Sequence, residues 1–255
     1  MDSALALYSP ASNLSADFDA FLLPVMRGVQ GMFLLGGTLA QSCKNLIPDK
    51  PNATVIGAPT VSANSIGCQG LVNCLQTSIL QTAEMTIYVV GKSADTFVDN
   101  AHRPMFVSNY LGTRVGDATK NSNGVYVGVT GSAGAPQATL QGVHSVINPD
   151  GTSAAIGAQI SVADMSTYKL MTSRKIATSR EIRNETNNQS QIVPSALPDD
   201  LGTRALRIGS GYSAFGGLCD LALVIIATVG HTDDERSAIN ATSRSLMTLR
   251  AIGAV

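Results

Sequence analysis

The sequence predicts an all-β fold, an antiparallel β-sandwich ending in one short C-terminal helix, and three observations carry that expectation. From about Glu84 onward, short β-favouring runs alternate with turn residues at the spacing of a sandwich. Asn121-Ser122-Asn123-Gly124 and Asn148-Pro149-Asp150-Gly151 place residues tolerant of positive φ at the centre of two reversals, so both read as hairpins and imply antiparallel pairing. The strong helix signal sits near the C-terminus, which leaves no β-α-β alternation and argues against a doubly wound parallel sheet. A chain of 255 residues is long enough for one large all-β domain of this kind.

Taken in order, residues 1–44 differ in texture from the rest, with apolar clusters broken by Gly and Pro, and are expected to form an N-terminal arm or packing layer on a sandwich spanning 45–255. The N-terminus carries Asp2, Asp17 and Asp19 and no basic stretch before an apolar one, so no secretory signal is expected, nor disulfides in the cell that makes the chain. Phe21 to Ala40 is apolar, yet Pro24, Arg27, Gln30 and four glycines interrupt it, which favours a buried or subunit-contacting segment over a membrane span. Strands are predicted at Thr86–Val90, Met105–Val107, Val125–Val129, Val143–Ile147, Ala155–Val162, Tyr168–Met171, Ala205–Ile208 and Leu218–Val229. Thr172 to Leu201 is polar and rich in Asn and Ser, and reads as a long loop with at most a short helical turn.

The closing fifty residues are the most specific. Leu206-Arg207-Ile208-Gly209 leads through Tyr212 and Phe215-Gly216-Gly217 into an apolar run and then His231-Thr232-Asp233-Asp234-Glu235-Arg236. Thr232 followed by Glu235 predicts a capping box at a helix start. Ile239, Leu246, Leu249 and Ile252 supply the apolar face of that helix. Leu221 to Val229 is continuously apolar where a strand with one wet face would alternate, so both of its faces require cover, from the helix, the arm or a neighbouring subunit.

Composition narrows the function classes. Seventeen basic and eighteen acidic side chains give a net charge of −1, so nucleic acid is not an expected partner. Charged residues make up only 14%, which fits either a surface partly covered by other subunits or one solvated by neutral polar groups. Cys43, Cys68, Cys74 and Cys219 form no C-x-x-C pair, so neither a zinc ribbon nor a redox dithiol is expected. Gly128 to Gly134 lacks the Gly-Lys-Ser/Thr ending of a phosphate loop, and His102, His144 and His231 show no triad spacing.

The closing block resembles the last strands and terminal helix of the concanavalin A-like lectin and glucanase superfamily in its laminin G-like form. Asn45-Leu46-Ile47 through Pro51-Asn52-Ala53-Thr54-Val55-Ile56-Gly57-Ala58-Pro59-Thr60, and Glu84-Met85-Thr86-Ile87-Tyr88-Val89-Val90, are similar to its opening segment and following core strand. The resemblance implies a jelly-roll sandwich over about Asn45 to Val255, with the opening segment beside the last strand. Gly209, Phe215, Gly217, Thr232 and Glu235 would then be fold-defining residues. Chains of this kind resemble virion components of tailed bacteriophages, especially tail and fibre proteins. That implies a non-enzymatic structural or adhesive subunit, located in the virion and assembled in the host cytoplasm, whose partners are other virion proteins or copies of itself. The alternative is a module that binds a cell-surface glycan, and a third is a glycoside hydrolase.

A retaining glycosidase needs two carboxylates about 5 to 5.5 Å apart, and no strand here alternates them. Glu181 and Glu185 are the nearest candidates, in the polar stretch, while Asp233, Asp234 and Glu235 are accounted for by the helix start. No catalytic residue and no cofactor is therefore assigned. For sugar stacking the chain offers Tyr110, Tyr126, Tyr168 and Tyr212, each also readable as core with its hydroxyl at an edge, and no Trp. Metal ligands are left open: Asp95, Asp99 and Asn100, and separately Asp117, Asn121 and Asn123, have calcium-compatible oxygens but equally the chemistry of turns. Lys169, Arg174, Lys175, Arg180 and Arg183 would greet an anionic glycan or, given the interspersed acids, form a solvated face.

Overall fold

Side-chain parity along the strands builds two facing antiparallel sheets. The computed structural model describes residues 20–131, 138–253 and 255. In chain order the elements are β1 (Val29–Leu34), α1 (Leu39–Cys43), β2 (Thr54–Ile56), β3 (Thr60–Val61), β4 (Ile66–Gln69), β5 (Cys74–Leu80), β6 (Met85–Lys92), β7 (Met105–Ser108), β8 (Gly112–Arg114), β9 (Asp117–Ser122), β10 (Val125–Thr130), β11 (Ala138–Ile147), β12 (Ser153–Val162), β13 (Lys169–Ile176), β14 (Ser179–Asn184), β15 (Gln189–Pro194), β16 (Ala205–Ile208), β17 (Leu218–Ala227) and α2 (Asp233–Leu249). One sheet runs β15-β14-β13-β6-β17-β4-β3, with β1 also paired to β17; the other runs β12-β11-β10-β7-β16-β5-β2, and β8 and β9 form a separate ribbon. The fold is an antiparallel β-sandwich with a C-terminal helix.

The core between the sheets is filled by one parity of each strand: Ile87 and Val89 of β6, Val125, Val127 and Val129 of β10, Leu206 and Ile208 of β16, and Leu221, Val224 and Ile226 of β17. Each of these is essentially fully buried, and a buried Val, Leu or Ile contributes about 1.5–3 kcal/mol. The opposite parity of β17, Leu223, Ile225 and Ala227, meets Ile239, Leu246 and Met247 of α2 and Leu23, Leu46 and Ile47 of the N-terminal segment. The unbroken apolar run is thus covered on both faces within the chain. A bulge between Leu221 and Leu223 turns Ala222 to the helix side as well. Its carbonyl accepts from Leu35 N–H at 2.9 Å and from Arg250 Nη1 at 2.8 Å, so the irregularity leaves no orphan acceptor.

The helix begins as its sequence requires. Glu235 N–H donates to Thr232 Oγ1 at 3.3 Å, and Thr232 N–H donates to Glu235 Oε2 at 2.7 Å. Arg27 Nε also donates to Glu235 Oε1, at 2.6 Å, pinning the N-terminal segment to the helix start and holding that carboxyl down to about 2. Thr232→Ala should cost about 1 kcal/mol of unfolding free energy in urea titrations.

Four expectations are corrected. Residues 172–194 do not form a loop: they finish β13 and supply β14 and β15, joined by tight turns at Ala177 and Asn188, whose φ values are 50° and 52°, and only 195–201 remains irregular. The alternation was masked because charged residues occupy buried positions there. Asn121–Gly124 does turn, with Gly124 at φ 65°, but it carries the chain from the ribbon into the sheet; β9 pairs with β8, and β10 with β7 and β11. Of the two predicted reversals, Asn148–Gly151 is the one that closes a hairpin, between the ten-residue strands β11 and β12. Leu249 is 42% exposed, and Met247 takes its place on the buried face. The strands beside β17 are β6 on one side and β4 and β1 on the other, while the segment from Asn45 to Thr60 contributes the edge strand β2 and the start of β3. Within Gly128 to Gly134, residues 132–134 lie outside the described residues, as do 1–19 of the arm.

Candidate functional site on the outer face of the seven-stranded sheet

The helix and N-terminal segment take the outer face of the eight-stranded sheet. On the seven-stranded sheet, strand parity sends a different set of side chains outward: Gln76 from β5, Met105 from β7, Tyr126 from β10, Val143 from β11 and Arg207 from β16, while Leu75, Phe106, Val125, Val127, Leu206 and Ile208 point into the core. The segment 209–217 then folds back over this face. Gly209 is required at its start, since φ is 87° and a Cβ there would lie 2.4 Å from the Cβ of Cys68. Gly217 is required at its end, where a Cβ would lie 2.5 Å from the backbone of Arg103 and Pro104. Between them the segment sets Phe215 onto the sheet.

Two side-chain groups result. In the first, Phe215 meets Tyr110 edge-on with ring centroids 5.0 Å apart, and Tyr110 meets Tyr126 at 6.0 Å and 88°, a packing suited to the ring quadrupoles. Tyr126 is buried, its hydroxyl donates to Gln141 Oε1 at 3.1 Å, and burial pushes its pKa up to about 12. Tyr110 is half-buried. In the second, Tyr212 lies under two guanidiniums, with the Arg207 carbon 3.7 Å and the Arg204 carbon 4.6 Å from the ring centroid. The Tyr212 hydroxyl lies 2.8 Å from both Gln76 Oε1 and the Ala205 carbonyl oxygen. Arg207 Nε donates to Gln76 Oε1 at 3.0 Å and its Nη1 to the Gly211 carbonyl at 3.0 Å. Tyr212 N–H donates to Tyr110 O at 2.5 Å, so the two groups are contiguous. Gln76 spends its amide within the protein, Oε1 on Tyr212 and Arg207 and Nε2 on the Thr77 and Leu206 carbonyls, so the face offers aromatic surface and positive charge, which is chemistry for holding a polar ligand.

Three of the four tyrosines singled out in the sequence, Tyr110, Tyr126 and Tyr212, therefore meet on one face. Tyr168 does not: it packs beside the helix-side cluster, under Lys92 Nζ at 4.9 Å. Arg204, Arg207 and Gln76 were not singled out; the signal available for Arg207 was its place between inward Leu206 and Ile208.

The other candidates are used elsewhere. Glu181 and Glu185 are 3% and 9% exposed and face the start of α2, where Arg174 and Arg183 hold Glu181 and Arg236 holds Glu185 at 2.7 Å. Neither lines an open cleft with a second free carboxylate. Lys169, Arg174, Lys175 and Arg180 are buried rather than solvated, with Lys175 and Arg180 sharing Asp199 at 2.9 and 3.2 Å; partial desolvation is offset by pairing. Asp95 accepts from Thr96 and Leu218 N–H at 2.7 and 2.9 Å, Asp99 from Ala101 N–H at 2.9 Å, and Asn100 Oδ1 from Arg103 Nη1 at 2.8 Å. Asp117 accepts from Thr119, Asn121 lies opposite Thr113 in the ribbon, and Asn123 is tied to Ser153. Among the described residues no three His, Cys, Asp or Glu side chains converge as a metal site. No helix among them is long and apolar enough to cross a membrane.

No family model matches this sequence, and no curated protein matches it. Solved structures do share its fold. The binding domain of botulinum neurotoxin DC, in complex with SialylT, superposes with a TM-score of 0.54 at 8% identity, covering 86% of this chain and 52% of that one. The binding domains of serotypes D and C1 give TM-scores of 0.53 and 0.51 at 6% and 8% identity, covering 85% and 86% of this chain and 51% and 52% of theirs. The chain thus spans about half the length of those binding domains, and the likeness is one of fold.

Proposed function

We propose that this chain is a non-catalytic recognition module of concanavalin A-like, laminin G-like architecture that binds a cell-surface glycan through the outer face of its seven-stranded sheet, as an adhesive component of a bacteriophage tail or fibre. The observation that carries the glycan reading is the contiguous Tyr110–Tyr212–Arg207–Arg204 surface, which joins aromatic rings to guanidinium donors that Tyr212 orients. The likeness in fold to toxin binding domains, one of them in complex with SialylT, agrees with it. The absence of a free carboxylate pair around Glu181 and Glu185 supports a module without a chemical step. The virion setting rests on the resemblance of the closing block, and flanking tail or capsid genes would support it.

A glycan array probed with the wild-type chain, once with calcium and once with a chelator, tests the glycan reading. Binding under either condition that Tyr212→Ala lowers at least about tenfold supports it. Binding under neither condition removes it.

A further inference from the structure

Resting on that reading, we propose that the glycan is acidic, and that Arg204 and Arg207 together receive a carboxylate of the sugar. The inference comes from where this chain leaves positive charge unneutralised. Six of the other guanidiniums among the described residues face carboxylates, Arg27 with Glu235, Arg114 with Asp200, Arg174 and Arg183 with Glu181, Arg180 with Asp199 and Arg236 with Glu185, and Arg103, Arg244 and Arg250 donate to carbonyl oxygens. Arg204 and Arg207 pair with no carboxylate among the described residues, although they lie over the same ring. Arg204 is exposed and its guanidinium makes no hydrogen bond among the described residues; its aliphatic stem rests near Gly112, 3.2 Å from where a Cβ would sit. Arg207 is half-buried and uses Nε and Nη1 internally, which leaves Nη2 unused.

Two like charges gathered on one face repel unless something holds them. Here stacking on Tyr212 holds both and the Gln76 bond holds Arg207, and neither contact neutralises charge; Arg207 keeps Nη2 unused and Arg204 its whole fork. The result is a pre-organised donor set whose ordering cost is met before a ligand arrives. A planar carboxylate matches the free guanidinium edge of Arg204 bidentately and can take a further bond from Arg207 Nη2, and such charge-assisted bonds are about twice as strong as neutral ones. A sugar whose carboxylate sits at this pair would have its ring beside Gly211 and the half-buried Tyr110, whose hydroxyl has no partner among the described residues. Nucleic acid fits poorly, because a net charge of −1 supplies no extended positive track for a phosphate backbone.

The test is a glycan array carrying neutral, carboxylated and sulfated saccharides, followed by titration of the strongest carboxylated binder and its carboxyl-reduced form. Wild type, Arg204→Ala and Lys120→Ala are compared, the last removing an exposed charge on the β9 ribbon. The expected result is a bound set dominated by carboxylated saccharides. Carboxyl reduction and Arg204→Ala should each weaken binding about tenfold or more, with Lys120→Ala at wild-type affinity. Arg204 is exposed, so its replacement leaves folding intact. Equal binding of neutral or sulfated saccharides, no effect of Arg204→Ala, or an equal loss in Lys120→Ala would each overturn the assignment of a sugar carboxylate to this pair while leaving glycan recognition standing. No saccharide bound at all would remove both.

Discussion

Replacing Glu181 by Ala is expected to lower the unfolding free energy by about 3–5 kcal/mol, a large part of a typical domain's 5–15 kcal/mol. Glu181 is 3% exposed and sits between two guanidiniums: Arg174 Nε on one oxygen and Arg183 Nη1 on the other, at 3.0 Å. Arg174 also donates to the His231 carbonyl at 2.8 Å and to Asp233 at 2.6 Å, so it fixes the start of α2 against β13. Removing the carboxylate takes the buried partner from Arg174 and leaves that guanidinium with the His231 carbonyl and the exposed Asp233, which offset its desolvation less well. Urea unfolding of Glu181→Ala measures the loss. The double variant Arg174→Met, Glu181→Leu should recover much of it, because an apolar pair carries no desolvation penalty. A single variant within about 0.5 kcal/mol of wild type would show the cluster to be energetically idle.

His144 should make the fold acid-labile. Its ring is buried between β11 and the other sheet, neither nitrogen has a hydrogen-bond partner among the described residues, and Arg180 Nε donates to its carbonyl at 3.1 Å. Burial, with the charges of Arg180 and Lys175 adding to it, pushes its pKa down to about 3. An unfolded histidine titrates near 6.5, so below that pH the unfolded chain takes up a proton that the folded chain refuses. Stability is therefore retained above about 6.5 and lost as pH falls toward 3, by roughly 4–5 kcal/mol in all and about 2 kcal/mol between pH 7 and 5. Glu235 acts in the same direction but lower, since Arg27 holds its carboxyl near 2 and its contribution fades only below about 4.5. Comparing urea midpoints at pH 7 and 5 for wild type and His144→Leu isolates the histidine. The variant should lose markedly less stability, and equal losses would show that another group carries the proton.

The parts legible in sequence were those set by local rules. The capping box of Thr232 and Glu235 and the turn at Gly151 depend on neighbours a few residues away, and the run from Leu221 announced a strand covered on both faces. Residues 172–201 were not legible, because Arg174, Arg180 and Glu181 occupy positions where buried strands normally carry Val or Ile. Only partners on β11, α2 and the loop before β16 make those charges tolerable. The candidate site was half legible. Tyr110, Tyr126 and Tyr212 stood out as residues able to stack, and Arg207 had outward parity between Leu206 and Ile208. What brings them together is β16 lying between β7 and β5, a pairing of segments about 130 residues apart for Gln76 and Arg207. No local pattern encodes that.

Backbone amide and side-chain shift mapping during titration with an array-identified saccharide tests most directly the claim that the outer face of the seven-stranded sheet is the recognition surface. The expected perturbations centre on Gln76, Tyr110, Tyr126 and the stretch from Arg204 to Tyr212, with the helix from Asp233 to Leu249 unmoved. Perturbations centred on the helix side or on the β14–β15 edge, with the Tyr212 region silent, would contradict it.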